Sequence, residues 1–451
     1  MIKDKESLEV QPFTKLCNAE VKIPGSKSIS NRALILSSMC DAEIELIGIL
    51  ESEDVDLMQK ALQSLDIKII KTKKGIKIFG VNGNISKKEA TINVGNAGTI
   101  ARFLTCFLAN QKEAIYSLDG TEAMRNRPMV ELLDCLIDLG CKIEYKGKYG
   151  KFPITLSCNG LKNNNIYIDA RKSGQNISGI LMQCPAISEE CTVHFNKGTV
   201  SVPFIEMTLK MMCAFIGKNA FKYEFKGNSI HIKSKYYQNT NLSYQIEPDA
   251  TAASYFLTLP IVTGGKCNVL GLSNNMIQGD IAYCDIINQI GAEIIFEKNG
   301  VSSRANGRLK GGSFNFNDIS DTFLTLAAIS PLLESTLEIY GIEHTRKQET
   351  DRVSAMAREL KKLGQDVTEK KDRLIIKPDL NKLIISTKEG VSVDTYNDHR
   401  FAMSFAILGS YDLRGNGTPW LTINDPLCCS KTFPGFFDCL NTAYTQSHAK
   451  K

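Results

Sequence analysis

A pattern that recurs six times constrains the fold of this chain more than any other feature of its sequence. In each copy, small or polar residues precede an apolar run rich in Ala, Leu, Ile and Met, and successive copies begin roughly 70–80 residues apart, the spacing of a repeated supersecondary unit. Each run is apolar on nearly every side, which predicts a helix buried in the interior. The six runs are "SISNRALILSSM" from position 28, "NAGTIARFLTCFLA" from 96, "QNISGILMQCPA" from 175, "DATAASYFLTLP" from 249, "SDTFLTLAAISP" from 320 and "DHRFAMSFAILG" from 398.

A second, amphipathic helix is expected about 30 residues after each buried one, as in "MVELLDCLIDLGCKIEY" and "ETDRVSAMARELKKLGQDV". Gly140 and Gly364 are placed to end these two helices. Short alternating segments such as "KGIKIFGV" and "NSIHIKS" predict strands between the helices. Six such α/β units exceed one core, so we expect two groups of three, with a hinge in the polar residues 233–249.

Composition excludes several classes of function. The 451 residues carry a formal net charge of +5, spread too thinly for a nucleic-acid surface, so small anionic substrates are expected. No apolar run reaches the roughly 18 residues of a membrane span, and the acidic residues near the start argue against a transit peptide. Fourteen cysteines without a CxxC pair are typical of buried thiols in a reducing cytoplasm. No metal-ligand or cofactor motif is present, so we expect neither metal nor cofactor. We also expect a monomer, located in the cytoplasm.

Basic residues gather where the predicted helices begin. Free N–H groups and the helix dipole already attract anions at such ends, and added Lys or Arg side chains favour phosphate and carboxylate. Several of these loops at equivalent positions of a repeat predict helix ends that converge on one polyanionic site. The basic residues are Lys27, Arg32, Arg102, Arg171, Lys172, Arg346, Lys347, Arg352, Arg400 and Lys431.

Each of these loops by itself also has a plainer interpretation. "GSKSISNR" is equally typical of a serine helix cap, although it is no Walker A loop because Ser26 stands where that motif needs glycine. "NVGNAGT" is equally typical of a glycine turn, and "RNRPM" of a helix with Pro128 at its first position. Asp321, beside an apolar run, has helix capping as its plain role, whereas "NDHR" puts charged groups at the start of an apolar helix, which is costly without partners.

These motifs, in this order, resemble those of the 5-enolpyruvylshikimate-3-phosphate synthase family. The resemblance covers residues 5–440 and implies an α/β, two-domain enolpyruvyl transferase fold (an inside-out α/β barrel), with three βαβαββ-type repeats in each domain. It implies one domain over 26–245 and a second over 1–25 plus 246–440, with an active site in the cleft between them. Residues 441–451 are expected to form a frayed C-terminal tail. The matching strings are "GSKSISNRAL", "GNAGT", "RNRPM", "SGQ", "SVPFIEMTL", "EPDATAASYF", "QETDR", "YNDHR" and "KTFPGFF".

The resemblance implies transfer of the enolpyruvyl group of phosphoenolpyruvate to the 5-hydroxyl of shikimate 3-phosphate, with release of phosphate, in aromatic amino acid biosynthesis. It implies that Asp321 accepts the proton of the 5-hydroxyl and that Glu349 protonates and deprotonates the methylene carbon. It also implies that Lys27 is catalytic. It further implies that glyphosate competes with phosphoenolpyruvate beside Gly98. The residues implied for shikimate 3-phosphate are Lys27, Ser28, Arg32, Ser173, Gly174, Gln175, Ser201, Asp321, His344 and Gln348. Those implied for phosphoenolpyruvate are Lys27, Gly98, Arg127, Gln175, Arg352, Arg400 and Lys431.

Five positions depart from the commonest pattern of that family. Gln348 stands where Lys is frequent, and either Arg346 or Lys347 is expected to reach the same anion. His344 replaces a frequent Asn. The remaining departures, which remove a hydroxyl or change the packing beside a ligand loop, are Phe204 for Tyr, Gly174 for Ser and Phe103 for Pro or Leu.

Two alternatives differ in function. A UDP-N-acetylglucosamine enolpyruvyl transferase would share the fold and the donor substrate, but that family has a reactive Cys where Glu122 stands here. A non-catalytic anion-binding protein on the same fold is disfavoured because the catalytic carboxylates Asp321 and Glu349 are retained together with the cations Lys27, Arg352 and Arg400.

Overall fold

The computed structural model of the chain describes residues 6–171, 173–198, 202–237, 243–305 and 309–449. The chain forms two compact units. The inserted unit is Gly25–Glu247, and the terminal unit combines Met1–Pro24 with Pro248–Lys451.

Helices in the described residues follow the predicted pattern of alternating buried and amphipathic segments. The inserted unit has α1 Lys27–Met39, α2 Glu53–Ser64, α3 Gly98–Ala109, α4 Glu122–Asn126, α5 Val130–Asp138, α6 Gly174–Ile187 and α7 Val202–Ile216. The terminal unit has α8 Ala250–Thr263, α9 Tyr283–Gln289, α10 Phe323–Ile329, α11 Arg352–Lys362, α12 Leu380–Ser386, α13 His399–Gly409 and α14 Phe436–His448. Short 3-10 helices occupy Gly279–Ala282, Ser330–Leu332, Glu343–Lys347 and Pro426–Lys431.

The strands are short and are numbered in chain order, and both units contain them. The first two, in the terminal unit, are β1 Ser7–Glu9 and β2 Cys17–Val21. The inserted unit has β3 Glu43–Ile47, β4 Ile69–Lys71, β5 Gly75–Phe79, β6 Glu89–Asn93, β7 Ala114–Asp119, β8 Lys142–Tyr145, β9 Ile154–Cys158, β10 Asn165–Ile168, β11 Glu190–Phe195, β12 Phe221–Lys226, β13 Ser229–Ser234 and β14 Ser243–Gln245. The terminal unit continues with β15 Gly265–Leu270, β16 Glu293–Glu297, β17 Gly300–Ala305, β18 Gly312–Asn315, β19 Leu337–Tyr340, β20 Asp366–Glu369, β21 Arg373–Lys377, β22 Val391–Val393 and β23 Leu421–Asn424.

The sheet of order β6-β7-β9-β8 contains one complete βαβαββ repeat. Strands β6 and β7 are parallel, with Glu89 opposite Ile115, and the buried helix α3 connects them. The amphipathic helix α5 connects β7 to β8, and β9 then inserts antiparallel between β7 and β8. A parallel pair needs a helical crossover, whereas the antiparallel strands are joined by short turns. The predicted repeat type is confirmed.

The other sheets repeat this order with three modifications. Four are four-stranded, in the orders β10-β11-β13-β12, β14-β3-β5-β4, β16-β17-β15-β2 and β18-β19-β21-β20, and the sixth is the three-stranded β1-β23-β22. In the sheet that contains β3, the first parallel strand is β14, from the far end of the inserted unit. In the sheet that contains β15 it is β2, with Cys17 opposite Gly265.

All six apolar runs are helices whose residues are almost entirely buried, which confirms the prediction from the repeat. In the inserted unit, α3 packs against α1 and α6. In the terminal unit, α13 packs against α8 and α10. Helices that are apolar all round can be buried in this way by helices on one side and sheets on the other. The inner helices therefore bring their starting residues to the same region of each unit.

The predicted helix ends and thiols agree with the structure. Gly140 (φ 104°) and Gly364 (φ 76°) follow the last turns of α5 and α11 in the left-handed region, which favours glycine. All fourteen cysteines are free; Cys213 and Cys439 are half-buried and the others are buried. Among the described residues, no helix is long and apolar enough to cross a membrane.

One alternative interpretation and one expectation about chain segments are wrong. Pro128 is not at the first position of a helix: α4 ends at Asn126, and α5 begins only at Val130. Residues 441–448 are not a frayed tail, because they form the later turns of α14, which packs on β2. The Ser447 hydroxyl accepts a hydrogen bond from the Asn18 N–H at 3.0 Å, and Gln446 accepts one from Glu20 at 2.8 Å. These long-range partners hold the end of the helix.

Candidate active site

The start of α1 is a serine cap that also carries a charged pair. Ser26 is the N-cap and accepts a hydrogen bond from the Ile29 N–H at 3.4 Å. The interpretation of "GSKSISNR" as a serine helix cap is therefore correct. Lys27 Nζ lies 3.4 Å from Asp54 Oδ2. Asp54 belongs to the acidic first turn of α2, and it was missed because nothing in the sequence links that turn to Lys27.

Arg32 lies in the interior of the inserted unit, with 1% of its surface exposed. Its guanidinium donates to the Thr208 hydroxyl at 2.7 Å and to the Ser28 carbonyl at 2.9 Å, and it lies 4.9 Å from the ring centroid of Phe103. The guanidinium also lies 5.8 Å from the centroid of the Phe204 ring. Its hydrogen-bond partners in the described part of the chain are all neutral. Burial therefore lowers the pKa of Arg32 to about 9.

A second group of cations surrounds the start of α3. Arg102 donates to the Gly98 carbonyl at 3.0 Å and to Gln175 Oε1 at 3.3 Å, and Arg127 donates to the Asn96 carbonyl at 3.2 Å. A Cβ at position 98 would stand 2.8 Å from Arg102 Nη1 and 3.0 Å from Arg127 Nη1. Glycine therefore lets both guanidinium groups approach the helix end.

The start of α6 supplies the remaining predicted residues of the inserted unit. Ser173 is the N-cap of this helix and accepts a hydrogen bond from the Gln175 N–H at 3.3 Å, while Gly174 is its first residue. Gln175 thereby joins the group around Arg102. Ser201 lies outside the described residues.

In the terminal unit, Arg352 is the centre of a carboxylate cluster. Its Nε lies 2.7 Å from Asp398 Oδ2, its Nη1 2.9 Å from Asp321 Oδ1, and its Nη2 2.9 Å from Glu349 Oε2. Burial by itself lowers the pKa of Arg352, but Asp398, Glu349 and Asp321 together raise it well above its ordinary value. The guanidinium therefore stays charged.

Arg400 and Lys431 extend this cluster into a row of alternating charges. Arg400 Nη2 lies 2.6 Å from Asp321 Oδ2, and Lys431 Nζ lies 2.9 Å from Glu349 Oε1. The order of contacts is Lys431, Glu349, Arg352, Asp321, Arg400. Each predicted catalytic carboxylate thus bridges two of the cations predicted to bind phosphoenolpyruvate.

His344 and Gln348 lie beside this row. His344 Nε2 is 2.8 Å from the Ser320 hydroxyl, and burial lowers the pKa of its imidazole. Gln348 accepts a hydrogen bond from Arg352 through Oε1. Arg346, one of the two suggested substitutes for the missing lysine, is instead paired with Asp351 at 3.0 Å and Glu369 at 2.8 Å.

Two further buried carboxylates were not predicted to take part. Asp398 caps α13, accepting a hydrogen bond from the Arg400 N–H at 3.0 Å; the costly charges of "NDHR" signalled a partner but did not identify Arg352. Asp280, in the 3-10 helix Gly279–Ala282, has Oδ1 buried without a hydrogen-bond partner among the described residues. Burial, and then the nearby Asp321, raise the pKa of Asp280 to about 7. No sequence pattern marked it.

Comparisons with known proteins agree on one family. Residues 11–440 match the family model for EPSP synthase (3-phosphoshikimate 1-carboxyvinyltransferase). The chain is 42% identical to the 3-phosphoshikimate 1-carboxyvinyltransferase of Opitutus terrae, over 98% of both chains. It is 36% identical to the enzyme of the same name from Vibrio atlanticus, over 96% of this chain and 99% of the other.

Solved structures share the fold at lower sequence identity. An EPSP synthase from Acinetobacter baumannii superposes with a TM-score of 0.76 at 24% identity, over 97% of this chain and 98% of the other. The enolpyruvyl transferase NikO from Streptomyces tendae gives a TM-score of 0.73 at 12% identity, over 98% of both chains. At these identities the likeness concerns the fold alone.

Proposed function

We propose a residue-level mechanism from one premise: the chain belongs to the EPSP synthase (3-phosphoshikimate 1-carboxyvinyltransferase) family. Its reaction is the transfer of the enolpyruvyl group of phosphoenolpyruvate to the 5-hydroxyl of shikimate 3-phosphate, with release of phosphate. It is thus a transferase of aromatic amino acid biosynthesis. The alternative reaction with UDP-N-acetylglucosamine is not favoured, because the matching family and the relatives are named for 3-phosphoshikimate 1-carboxyvinyltransferase activity.

The observation that carries the mechanism is the alternating row of charges. Asp321 and Glu349 each contact two cations, so Arg352, Arg400 and Lys431 are held close together by the protein's own carboxylates. The phosphate and carboxylate of phosphoenolpyruvate form the same charge-assisted hydrogen bonds with these cations. Binding of the substrate would therefore loosen both carboxylates from their partners and leave them available for proton transfer.

Two proton transfers complete the addition step. Asp321 takes the proton of the 5-hydroxyl as the hydroxyl oxygen bonds to C2 of phosphoenolpyruvate. Glu349, which takes up a proton from solvent once its two cations bind the substrate, donates that proton to the methylene carbon, which becomes a methyl group. The product of this step is a tetrahedral ketal that is not bonded to the enzyme. Glu349 then takes a proton back from that methyl group, and the proton held by Asp321 passes to the departing phosphate. The double bond is restored in the product, and both carboxyl groups return to the forms in which they entered the addition step.

The inserted unit is assigned to holding both substrates. Shikimate 3-phosphate is assigned to Lys27, Ser28, Arg32, Ser173, Gly174, Gln175 and Ser201, with Asp321, His344 and Gln348 from the terminal unit. Phosphoenolpyruvate is assigned to Gly98, Arg127 and Gln175 in addition to the three cations of the row, and Lys27 touches both substrates. Arg32 is buried, and its hydrogen-bond partners in the described part of the chain are neutral, which supports an anionic ligand near its guanidinium.

We further propose that the enzyme acts on small molecules as a monomer in the cytoplasm. It is proposed to need neither nucleic-acid nor membrane partners, and neither metal nor cofactor. The free thiols support a reducing compartment. The residues given catalytic roles supply acid, base and positive charge themselves, which is all that the addition and elimination require.

A phosphate-release assay tests this proposal. Purified full-length chain is expected to release phosphate from phosphoenolpyruvate only when shikimate 3-phosphate is present. The control is the double variant Asp321→Asn with Glu349→Gln, which should release none above background. Phosphate release with UDP-N-acetylglucosamine in place of shikimate 3-phosphate, or no release with the proposed pair, would overturn it.

A further inference from the structure

Two consecutive residues with positive φ angles stand directly before Asp398 and close to Arg400. Tyr396 (φ 54°) and Asn397 (φ 55°) both adopt the left-handed conformation. Asparagine tolerates that region, but a bulky aromatic residue rarely enters it. Such a turn persists only when surrounding contacts hold it in place.

The side chain of Tyr396 shows what holds the turn. Its hydroxyl donates a hydrogen bond to Oε1 of Glu359, a carboxylate whose residue has 0% of its surface exposed. The Arg358 guanidinium lies 5.0 Å from the centroid of the tyrosine ring. The Phe401 ring meets it edge-on at 5.5 Å. The ring and the hydroxyl are therefore both fixed.

The second oxygen of Glu359 reaches another segment. Oε2 accepts the Asp394 N–H at 3.2 Å and lies 2.9 Å from Lys362 Nζ. Asp394 pairs with the same lysine at 2.6 Å and accepts a hydrogen bond from Asn424 Nδ2 at 2.8 Å. Asn424 precedes Asp425, again left-handed (φ 49°), which opens the 3-10 helix Pro426–Lys431.

Glu359 thus connects three segments that each carry one cation of the row. It lies on α11, about two helical turns after Arg352. It bonds directly to the turn before Arg400, and through Asp394 it reaches the turn that leads to Lys431. One buried carboxylate is therefore linked to the segments of all three cations, and within the described part of the chain it contacts none of the three directly.

We propose that Glu359 and Tyr396 are positioning residues for the phosphoenolpyruvate site. Their hydrogen bond keeps the Tyr396–Asn397 turn in its left-handed conformation, so that Arg400 is presented beside Arg352. The inference rests on the role proposed above for Arg400. If the turn relaxes in most molecules, the apparent affinity for phosphoenolpyruvate is the intrinsic affinity multiplied by the fraction of molecules that keep the binding geometry.

The test uses two conservative variants and a rescue. Tyr396→Phe removes the hydroxyl and keeps the ring, and Glu359→Gln keeps the shape of the acceptor. Each is expected to raise KM for phosphoenolpyruvate about tenfold, with a smaller change in kcat and in KM for shikimate 3-phosphate. Adding Asn397→Gly to Tyr396→Phe should recover most of that loss, because glycine adopts the left-handed conformation freely. A residue that only stabilises the fold would not be rescued in this way.

Two controls separate the possible failures. Tyr237→Phe removes another buried hydroxyl bond, to the Met182 carbonyl at 2.9 Å in the inserted unit, and should leave KM unchanged. Arg400→Lys tests the underlying assignment: an unaltered KM in that variant contradicts the role of Arg400 itself. If Arg400→Lys raises KM but folded Tyr396→Phe stays within about twofold of wild type, the positioning inference is wrong. Should Glu359→Gln fail to fold, Tyr396→Phe and its rescue decide the question.

Discussion

Arg352 and Asp398 form an ion pair inside the terminal unit, with Nε 2.7 Å from Oδ2 and side-chain exposures of 2% and 0%. Such a pair lies too far from solvent for either charge to be compensated by water if its partner is lost. Asp398 also caps the helix that begins at His399, so one carboxylate fixes both the central cation of the row and the backbone that carries Arg400.

Asp398→Asn is therefore expected to destabilise the protein while preserving the helix cap. Losing the charge leaves Arg352 with less compensation, which should reduce the free energy of unfolding by about 3 kcal/mol. Urea denaturation followed by circular dichroism measures this. Asp372→Asn, which weakens a half-exposed pair with Arg373, is the control and should change it by less than about 1 kcal/mol. Equal effects for the two variants would contradict the importance of burial.

Asp321→Asn and Glu349→Gln should each lower kcat at least about 100-fold, because each removes a proton acceptor or donor. Neither should weaken phosphoenolpyruvate binding, since both release cations from a competing carboxylate. Steady-state phosphate release and equilibrium titration measure the two effects separately. Asp318→Asn, at an exposed neighbouring position, is the control. A variant that turns over at the wild-type rate would remove that carboxylate from the mechanism.

Asp280 is expected to make stability fall as pH rises. Its pKa is raised from 3.8 to about 7 in the folded chain, first by burial and then by Asp321, with Asp249 acting in the same direction and Arg400 opposing. Between about pH 4 and 7 the unfolded chain has released this proton while the folded chain retains it, so unfolding becomes easier with increasing pH.

The variant Asp280→Asn removes this titration and should be more stable than wild type at pH 8, by about 1–3 kcal/mol, and show a smaller decline between pH 4 and 7. Urea titrations at a series of pH values measure the slope. Asp285→Asn, at an exposed position nearby, should retain the wild-type slope. An identical slope in Asp280→Asn would show that Asp280 is ionised throughout.

Gly98→Ala should weaken phosphoenolpyruvate binding and inhibition by glyphosate. The added Cβ would lie 2.8 Å from Arg102 Nη1 and 3.0 Å from Arg127 Nη1, so both guanidinium groups must shift. We expect KM for phosphoenolpyruvate to rise several-fold and the inhibition constant for glyphosate to rise further. Initial rates at varied phosphoenolpyruvate and inhibitor concentrations measure both. Gly147→Ala, whose Cβ meets only Pro153 at 3.9 Å, is the matched control. Unchanged inhibition in Gly98→Ala would count against crowding at this position.

Local patterns were reliable where the physical cause was local. The six buried helices follow from runs that are apolar on all sides, and the ends of α5 and α11 follow from glycines that accept a left-handed backbone. Pro128 was misplaced because a proline is compatible with a loop before a helix as well as with its first turn. The end of α14 was missed because its partners, Asn18 and Glu20, lie more than 400 positions earlier in the chain.

The sequence by itself determined the repeated α/β unit and the family, and it predicted the types of residue proposed to carry the chemistry, because apolar periodicity and short motifs are properties of neighbouring residues. Only the tertiary structure decided which charges meet. Lys27 pairs with Asp54, and Arg352 with Asp398, across 27 and 46 positions. Charge pairing depends on distances and burial that arise when separate segments fold together. The row of cations and carboxylates, and the hydrogen bonds of the buried Glu359 to Tyr396 and Asp394, are therefore properties of the fold.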